Sequence, residues 1–127
     1  MSGKVWTEIG CGYMEHDPKA FLFDIIQACD EIEKFTHDMS LNEYSTSSMV
    51  KAAVERKFLV IGEAMMRMKR EYPEILEHIT DYEKIIGFRN VLVHGYDIID
   101  DATVLSAVRD SMPTLRQEVE EILRKIP

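Results

Sequence analysis

Long apolar runs are missing from this chain: nowhere do about 18 uninterrupted apolar residues occur, so a transmembrane helix is excluded on length. Glycine and proline are scarce, six and four in 127 residues, and strand-like alternation is absent, which leaves little basis for a turn-rich β fold. Two cysteines, Cys11 and Cys29, are too few for a disulfide framework. Cys29 falls on an apolar helical face, where a small buried thiol is expected, and a reducing cytoplasm fits. Basic residues are outnumbered, 15 against 23 acidic ones, for a net charge of −8. Nonspecific nucleic-acid affinity rests mainly on Lys and Arg neutralising phosphates, so a generic polyanion binder is excluded and any RNA contact has to be local.

What is present is a helical composition. The chain is 46% apolar and 30% charged, rich in Leu, Ile, Met, Glu and Lys, and its length suits one domain at the usual size of about 100 to 200 residues. "MSGKVWTEIGCGY" lacks the continuous apolar core of a secretion signal, and its mixed polarity does not extend the helical pattern that follows. Residues 1–13 therefore read as a leader or extended N-terminus, with Met14 the functional first residue and residues 14–127 a single helical domain.

A first helix starts with Asp17 as N-cap and Pro18 at the first helical position, where its missing N–H costs nothing. Phe21, Ile25, Ala28 or Cys29, Ile32 and Phe35 form its inward stripe. Ser40 and Glu43 have capping-box spacing for a one-turn helix. A long helix then runs from about Ser48 to Tyr72, with Val50, Val54, Phe58, Ile61, Met65 and Met68 inward, and Pro73 ends it. Gly62 within it costs about 1 kcal/mol against Ala, which points to a close helix contact. "PEILEHIT" predicts a short helix, Thr80 and Glu83 predict a second capping box, and Gly95 is placed to end the helix that follows. From Asp100 or Asp101 onward one stripe (Val104, Val108, Met112, Leu115, Val119, Ile122, Ile126) continues through Pro113, which predicts a kink rather than a break. The sum is an all-α, antiparallel bundle of four to five helices.

"GFRNVLVHGYD", residues 87–97, places polar residues at the edge of an apolar helix end. Asn90 and His94 are four apart and share a face; Arg89 lies about 100° round from Asn90. Ile85, Ile86, Phe88, Leu92 and Val93 are expected on the core side. Histidine can take and give a proton near neutrality, and arginine can hold a phosphate through two donors. Cleaving RNA by its own 2′-hydroxyl needs a base for that proton, an acid for the leaving 5′-oxygen and a cation for the charge on phosphorus. Each residue also has a plainer role: His94 as a cation at a helix C-terminus, Arg89 as half of a surface ion pair, Tyr96 as a capping aromatic.

"RNVLVHGY" resembles the R-x4-H-x-Y signature of the HepT-like branch of the HEPN superfamily, the toxin halves of toxin–antitoxin pairs. "VIGEA" at 60–64, "REYPEI" at 70–75, "IIGFRNVLVHGY" at 85–96 and "RDSMPTLRQEVEEIL" at 109–123 are similar to that branch in order and spacing, over about residues 15–125. The resemblance implies a homodimer whose two motif helices form one composite cleft, close-packed at Gly62 and Gly87. It implies an endoribonuclease that needs no metal or other cofactor, with Arg89 and His94 as the catalytic pair and Asn90 orienting the histidine or a phosphate. It implies the toxin of a type VII-like pair, neutralised when a minimal nucleotidyltransferase antitoxin attaches AMP to Tyr96. Arg56, Lys57, Arg67, Lys69 and Arg70 are candidates for the rim of the RNA cleft. The leader and Asp97, an added negative charge beside Tyr96, depart from the family pattern. The alternative is a non-catalytic subunit that binds a nucleotide or the nucleotidyltransferase.

Overall fold

The computed structural model describes residues 17–94 and 99–127. The expected leader, the start at Met14, and Cys11, Gly95, Tyr96 and Asp97 lie outside the described residues. Every regular element among the described residues is helical: α1 (Pro18–Thr36), α2 (Leu41–Thr46), α3 (Ser48–Glu71), α4 (Pro73–Leu76), α5 (Tyr82–His94), α6 (Asp101–Ser106), a π-helical segment (Ala107–Ser111) and α7 (Met112–Lys125). None of these helices is long and apolar enough to cross a membrane.

The helix starts follow from local chemistry. The Asp17 side chain accepts the Ala20 N–H at 3.1 Å, with Pro18 opening α1. Ser40 and Glu43 form the reciprocal box, the Glu43 N–H reaching Ser40 Oγ at 3.1 Å and the Ser40 N–H reaching Glu43 Oε1 at 2.9 Å. The bond from the Ser40 backbone holds the Glu43 carboxyl below the usual range. Ser47 caps α3 through the Val50 N–H. The second expected box does not form. Thr80 turns instead to α7, where Glu118 accepts both its N–H and, at 2.6 Å, its hydroxyl. A carboxylate on a packed neighbour outcompetes Glu83, which extends into solvent, and α5 begins from the Asp81 carbonyl.

The core lies between α1, α3 and α7. Phe21, Leu22, Ile25, Ala28, Cys29 and Ile32 of α1 meet Val54, Ile61, Met65 and Met68 of α3 and Val108, Leu115 and Val119 of the C-terminal elements. Phe35 and Ile126 only flank this core, and Leu22 and Thr36 are buried in addition to the expected stripe. Burial pushes the Cys29 thiol up to about 12, so it stays a neutral packing group. Met65 and Met68 are core fillers, while Met66 is half-buried.

The stripe through Pro113 is continuous, and a π turn carries it. Proline cannot donate to the carbonyl four residues back and its ring crowds that oxygen. The chain widens just before it, and the Met112 N–H bonds to the Ala107 carbonyl, five residues back. The widened turn presents Arg109 to the end of α1, where Nη2 donates to the Thr36 carbonyl at 3.0 Å and the Met39 carbonyl at 2.9 Å. Arg116 meets Asp30 further along. Positions 30 and 36 thus pair with 116 and 109, so α1 and α7 run antiparallel.

Helix α5 rests chiefly on α3. None of its residues is buried: Ile85, Ile86, Phe88 and Leu92 are half-covered, and Val93, expected inward, is 50% exposed. A helix touching one neighbour can cover only the rows that face it, and Val93 lies about 100° beyond Leu92. Phe88 sets its ring edge to face against Phe58, centroids 5.2 Å apart. On the side toward α7 a groove of about 310 Å³ remains, floored by Phe58, Phe88, Met112 and Leu115.

The predicted contact at Gly62 exists. A Cβ built there would lie 2.3 Å from Arg89 Cβ and 2.6 Å from its Cγ, whereas one on Gly87 would meet nothing within 4 Å. Gly87 is therefore not a close-packing point within the chain. Overpacking costs about 1–3 kcal/mol and outweighs a helix-propensity gain of about 1 kcal/mol. Gly62→Ala is accordingly expected to lower the urea midpoint, because the atoms in the way belong to the base of a side chain and not its flexible end; an unchanged or raised midpoint would refute the close contact. Tyr44 is fully buried, and its hydroxyl has no partner among the described residues. Removing an unsatisfied buried group stabilises, so Tyr44→Phe is expected to gain about 1 kcal/mol in the same measurement; a loss of that size would show that the hydroxyl is bonded.

Candidate functional site

The site occupies the C-terminal half of α5. Its period puts Ile85, Phe88 and Leu92 toward α3 and leaves Asn90, Val91 and His94 exposed. Arg89 falls between the two faces, and its stem crosses the backbone of Gly62. Its guanidinium reaches Glu63 on α3: Nε donates to Glu63 Oε1 at 2.8 Å, and Nη2 donates to the same oxygen. On its other side Nη1 donates to Asn90 Oδ1 at 3.0 Å.

Five N–H groups belong to an arginine, and three are engaged here, which leaves two without a partner among the described residues. The Arg89 side chain is 20% exposed and that of Glu63 45%. The cation is thus the better covered member of the pair and is screened less by water than a surface arginine. Two donors on a fixed cation are what a phosphate oxygen pair requires.

Of the residues singled out in the sequence, Arg89 and Asn90 come together, and Asn90 serves as a direct neighbour of the arginine. His94 does not join them. It is exposed in the last turn of α5, and its side chain makes no hydrogen bond or ion pair with a described residue. Five residues separate it from Arg89, which on one helix is about 140° of rotation and about 7.5 Å of rise. Within one chain Arg89 and Asn90 are bonded, while His94 shares the exposed face with Asn90 and lies away from the guanidinium. Tyr96 lies outside the described residues.

Among the rim candidates, Lys57 is tied to Glu31 at 2.9 Å, while Arg56, Lys69 and Arg70 are exposed on α3. Among the described residues no group of three or more His, Cys, Asp or Glu side chains could hold a metal ion. The residue that sequence reasoning missed is Glu63. It lies in the segment "VIGEA", directly after Gly62, where the resemblance extends but gives no role to the acid.

The comparisons with known proteins bear on this geometry. A family described as "Ribonuclease HepT-like" matches residues 25–122. The chain is 32% identical to a protein of Methanocaldococcus jannaschii named "Putative RNase MJ1380", over 84% of this chain and 96% of that one. It is 34% identical to "Putative RNase MJ0125" of the same organism, over 88% of this chain and 96% of the relative. "Probable ribonuclease HepT" of Thermococcus cleftensis is 27% identical, over 86% of this chain and 98% of the relative. No solved structure matches. The match runs from within α1 to within α7, taking in all of α3, the Gly62–Glu63 pair and the whole of α5, and the chain belongs to the HepT-like ribonuclease family.

Proposed function

We propose that the chain is the toxin of a type VII-like toxin–antitoxin pair, acting as a metal-independent endoribonuclease in the cytoplasm. The observation that carries this reading is the fixed Arg89 guanidinium, with two donors to spare among the described residues, at the edge of a helix face that those residues leave uncovered. Family membership supplies the substrate class, RNA.

The chemistry assigns one role to each group. A neutral His94 takes the proton of an RNA 2′-hydroxyl, and the freed oxygen bonds to the adjacent phosphorus. The bond from phosphorus to the 5′-oxygen then breaks, and a protonated histidine returns a proton to that oxygen. Arg89 steadies the charge that gathers on the phosphoryl oxygens, and Asn90 holds the arginine from the side. Both a base and an acid are needed, and a single chain offers one His94, about 140° round the helix from its own arginine. A second copy supplies the other histidine and brings each His94 opposite a phosphate held by Arg89. Exposed Val91 and Val93 and the open surface at Gly87 support α5 as the shared face.

Control falls to Tyr96, two residues beyond His94. A nucleotidyltransferase partner would join the tyrosine oxygen to the α-phosphorus of ATP, with pyrophosphate leaving and the phenolic proton lost. The attached AMP would place negative charge and bulk where RNA phosphate has to bind.

His94→Ala is expected to reduce cleavage of an RNA oligonucleotide by at least about 10²-fold while circular dichroism stays unchanged. Full effect with both His94→Ala and Arg89→Ala would move the reading to the non-catalytic binding subunit. For the shared face, Gly87→Ala should leave each protomer as stable or stabler by about 1 kcal/mol and yet weaken the dimer in sedimentation; an unaffected dimer removes Gly87 from the interface. Co-expression with a minimal nucleotidyltransferase of the proposed antitoxin type should add the mass of AMP to the Tyr96 peptide, and Tyr96→Phe should prevent it.

A further inference from the structure

We propose that Glu63 is a positioning residue for Arg89, and that orientation rather than charge balance is its contribution to RNA cleavage. The proposal rests on the catalytic reading of Arg89 given above. Both bonds from the guanidinium, from Nε and from Nη2, end on one oxygen, Glu63 Oε1. That oxygen occupies the edge of the guanidinium nearest the stem, and Asn90 takes one donor of Nη1 at the far side. The two remaining donors therefore lie outside the grip of the carboxylate and are open to a phosphate.

The neighbouring glycine makes the grip possible. The stem of Arg89 passes so close to residue 62 that a side chain there would collide with Cβ and Cγ, and this approach brings the head of Arg89 within reach of the next residue on α3. Gly62 sets the distance and Glu63 sets the angle. A free arginine loses rotamer freedom when it binds a phosphate, whereas one already held has lost it on folding, so phosphate meets a preorganised donor pair. A carboxylate that competed with RNA would instead occupy the donors that phosphate needs, and here it leaves two of them.

Two substitutions separate orientation from charge. Glu63→Gln keeps a carbonyl oxygen at the same reach and removes the negative charge; because a single oxygen accepts both bonds, the amide can reproduce them. Glu63→Asp keeps the charge and withdraws it by one methylene. With a fluorogenic RNA oligonucleotide and the full chain, the expected result is that Glu63→Gln stays within about threefold of the parent in kcat while Glu63→Asp falls by about 10- to 100-fold at similar KM. An Arg89 Nε–H signal that exchanges slowly in NMR is expected for the parent and for Glu63→Gln and should be lost in Glu63→Asp, a readout that needs no catalysis. The reverse order in kcat, no change in either variant, or faster cleavage and tighter RNA binding by Glu63→Asp overturns the proposal, as does an unaltered Nε–H signal in Glu63→Asp. Arg89→Ala and His94→Ala run alongside. If those two cleave normally, the catalytic reading has failed; if they are dead and the Glu63 variants are unaffected, only the positioning role has.

Discussion

Where α3 and α5 cross, the backbone of Gly62 and the stem of Arg89 share space that any side chain at position 62 would need. That steric allowance sets how deep α5 sits on the bundle, and the rest of the site follows from the depth. Set further out, α5 would lose the edge-to-face contact of Phe88 with Phe58, and Glu63 would no longer reach the guanidinium. The rest of the bundle keeps α3 where the crossing requires it. Arg109 ties the π segment to the end of α1, Arg116 ties α7 to Asp30, and the buried faces of α1 and α3 meet between them.

A second constraint is how little of α5 is covered. The helix has apolar residues on more of its surface than one neighbour can cover, and the excess, Val91 and Val93, is exposed beside the polar site residues. Phe23 on α1 and Met49 on α3 are exposed too, but those helices bury a full stripe elsewhere, whereas α5 buries no residue at all. An apolar face wider than its covering is what a binding surface offers, and here it adjoins Arg89, Asn90 and His94, the residues that the proposed function employs. Net charge fits the same picture. In a chain of −8 the attraction for RNA has to be concentrated, and a cation fixed by one acid with two open donors is a way to concentrate it.

Features settled within one turn of chain were legible in the sequence. The Asp17 cap, the Ser40–Glu43 box, the end of α3 before Pro73 and the need for glycine at 62 depend on residues three or four apart, or on a side chain that is missing. Features settled by distant partners were not. Thr80 prefers Glu118, 38 positions away, and no local spacing announces it. Val93 belongs to the apolar pattern of α5, but whether it is covered depends on which neighbours the helix has. A local disturbance at Pro113 was foreseeable from the missing N–H, while its form as a π turn was not. Within the site, Arg89 and Asn90 were readable from spacing and resemblance together. Glu63 was not, since an ion pair across 26 positions of chain leaves no periodic trace.

The single-sided seating of α5 also bears on how the bundle breathes. Opening free energy is spread unevenly through a protein, and segments with few buried apolar contacts open first. With none of its residues buried, α5 can lift from α3 while α1, α3 and α7 stay packed. Its amide protons then exchange through local opening, well ahead of those in the core helices. Among the longer helices described, the one that carries the site is thus the first to come loose, and whatever covers its open side will slow exchange there more than in the core helices.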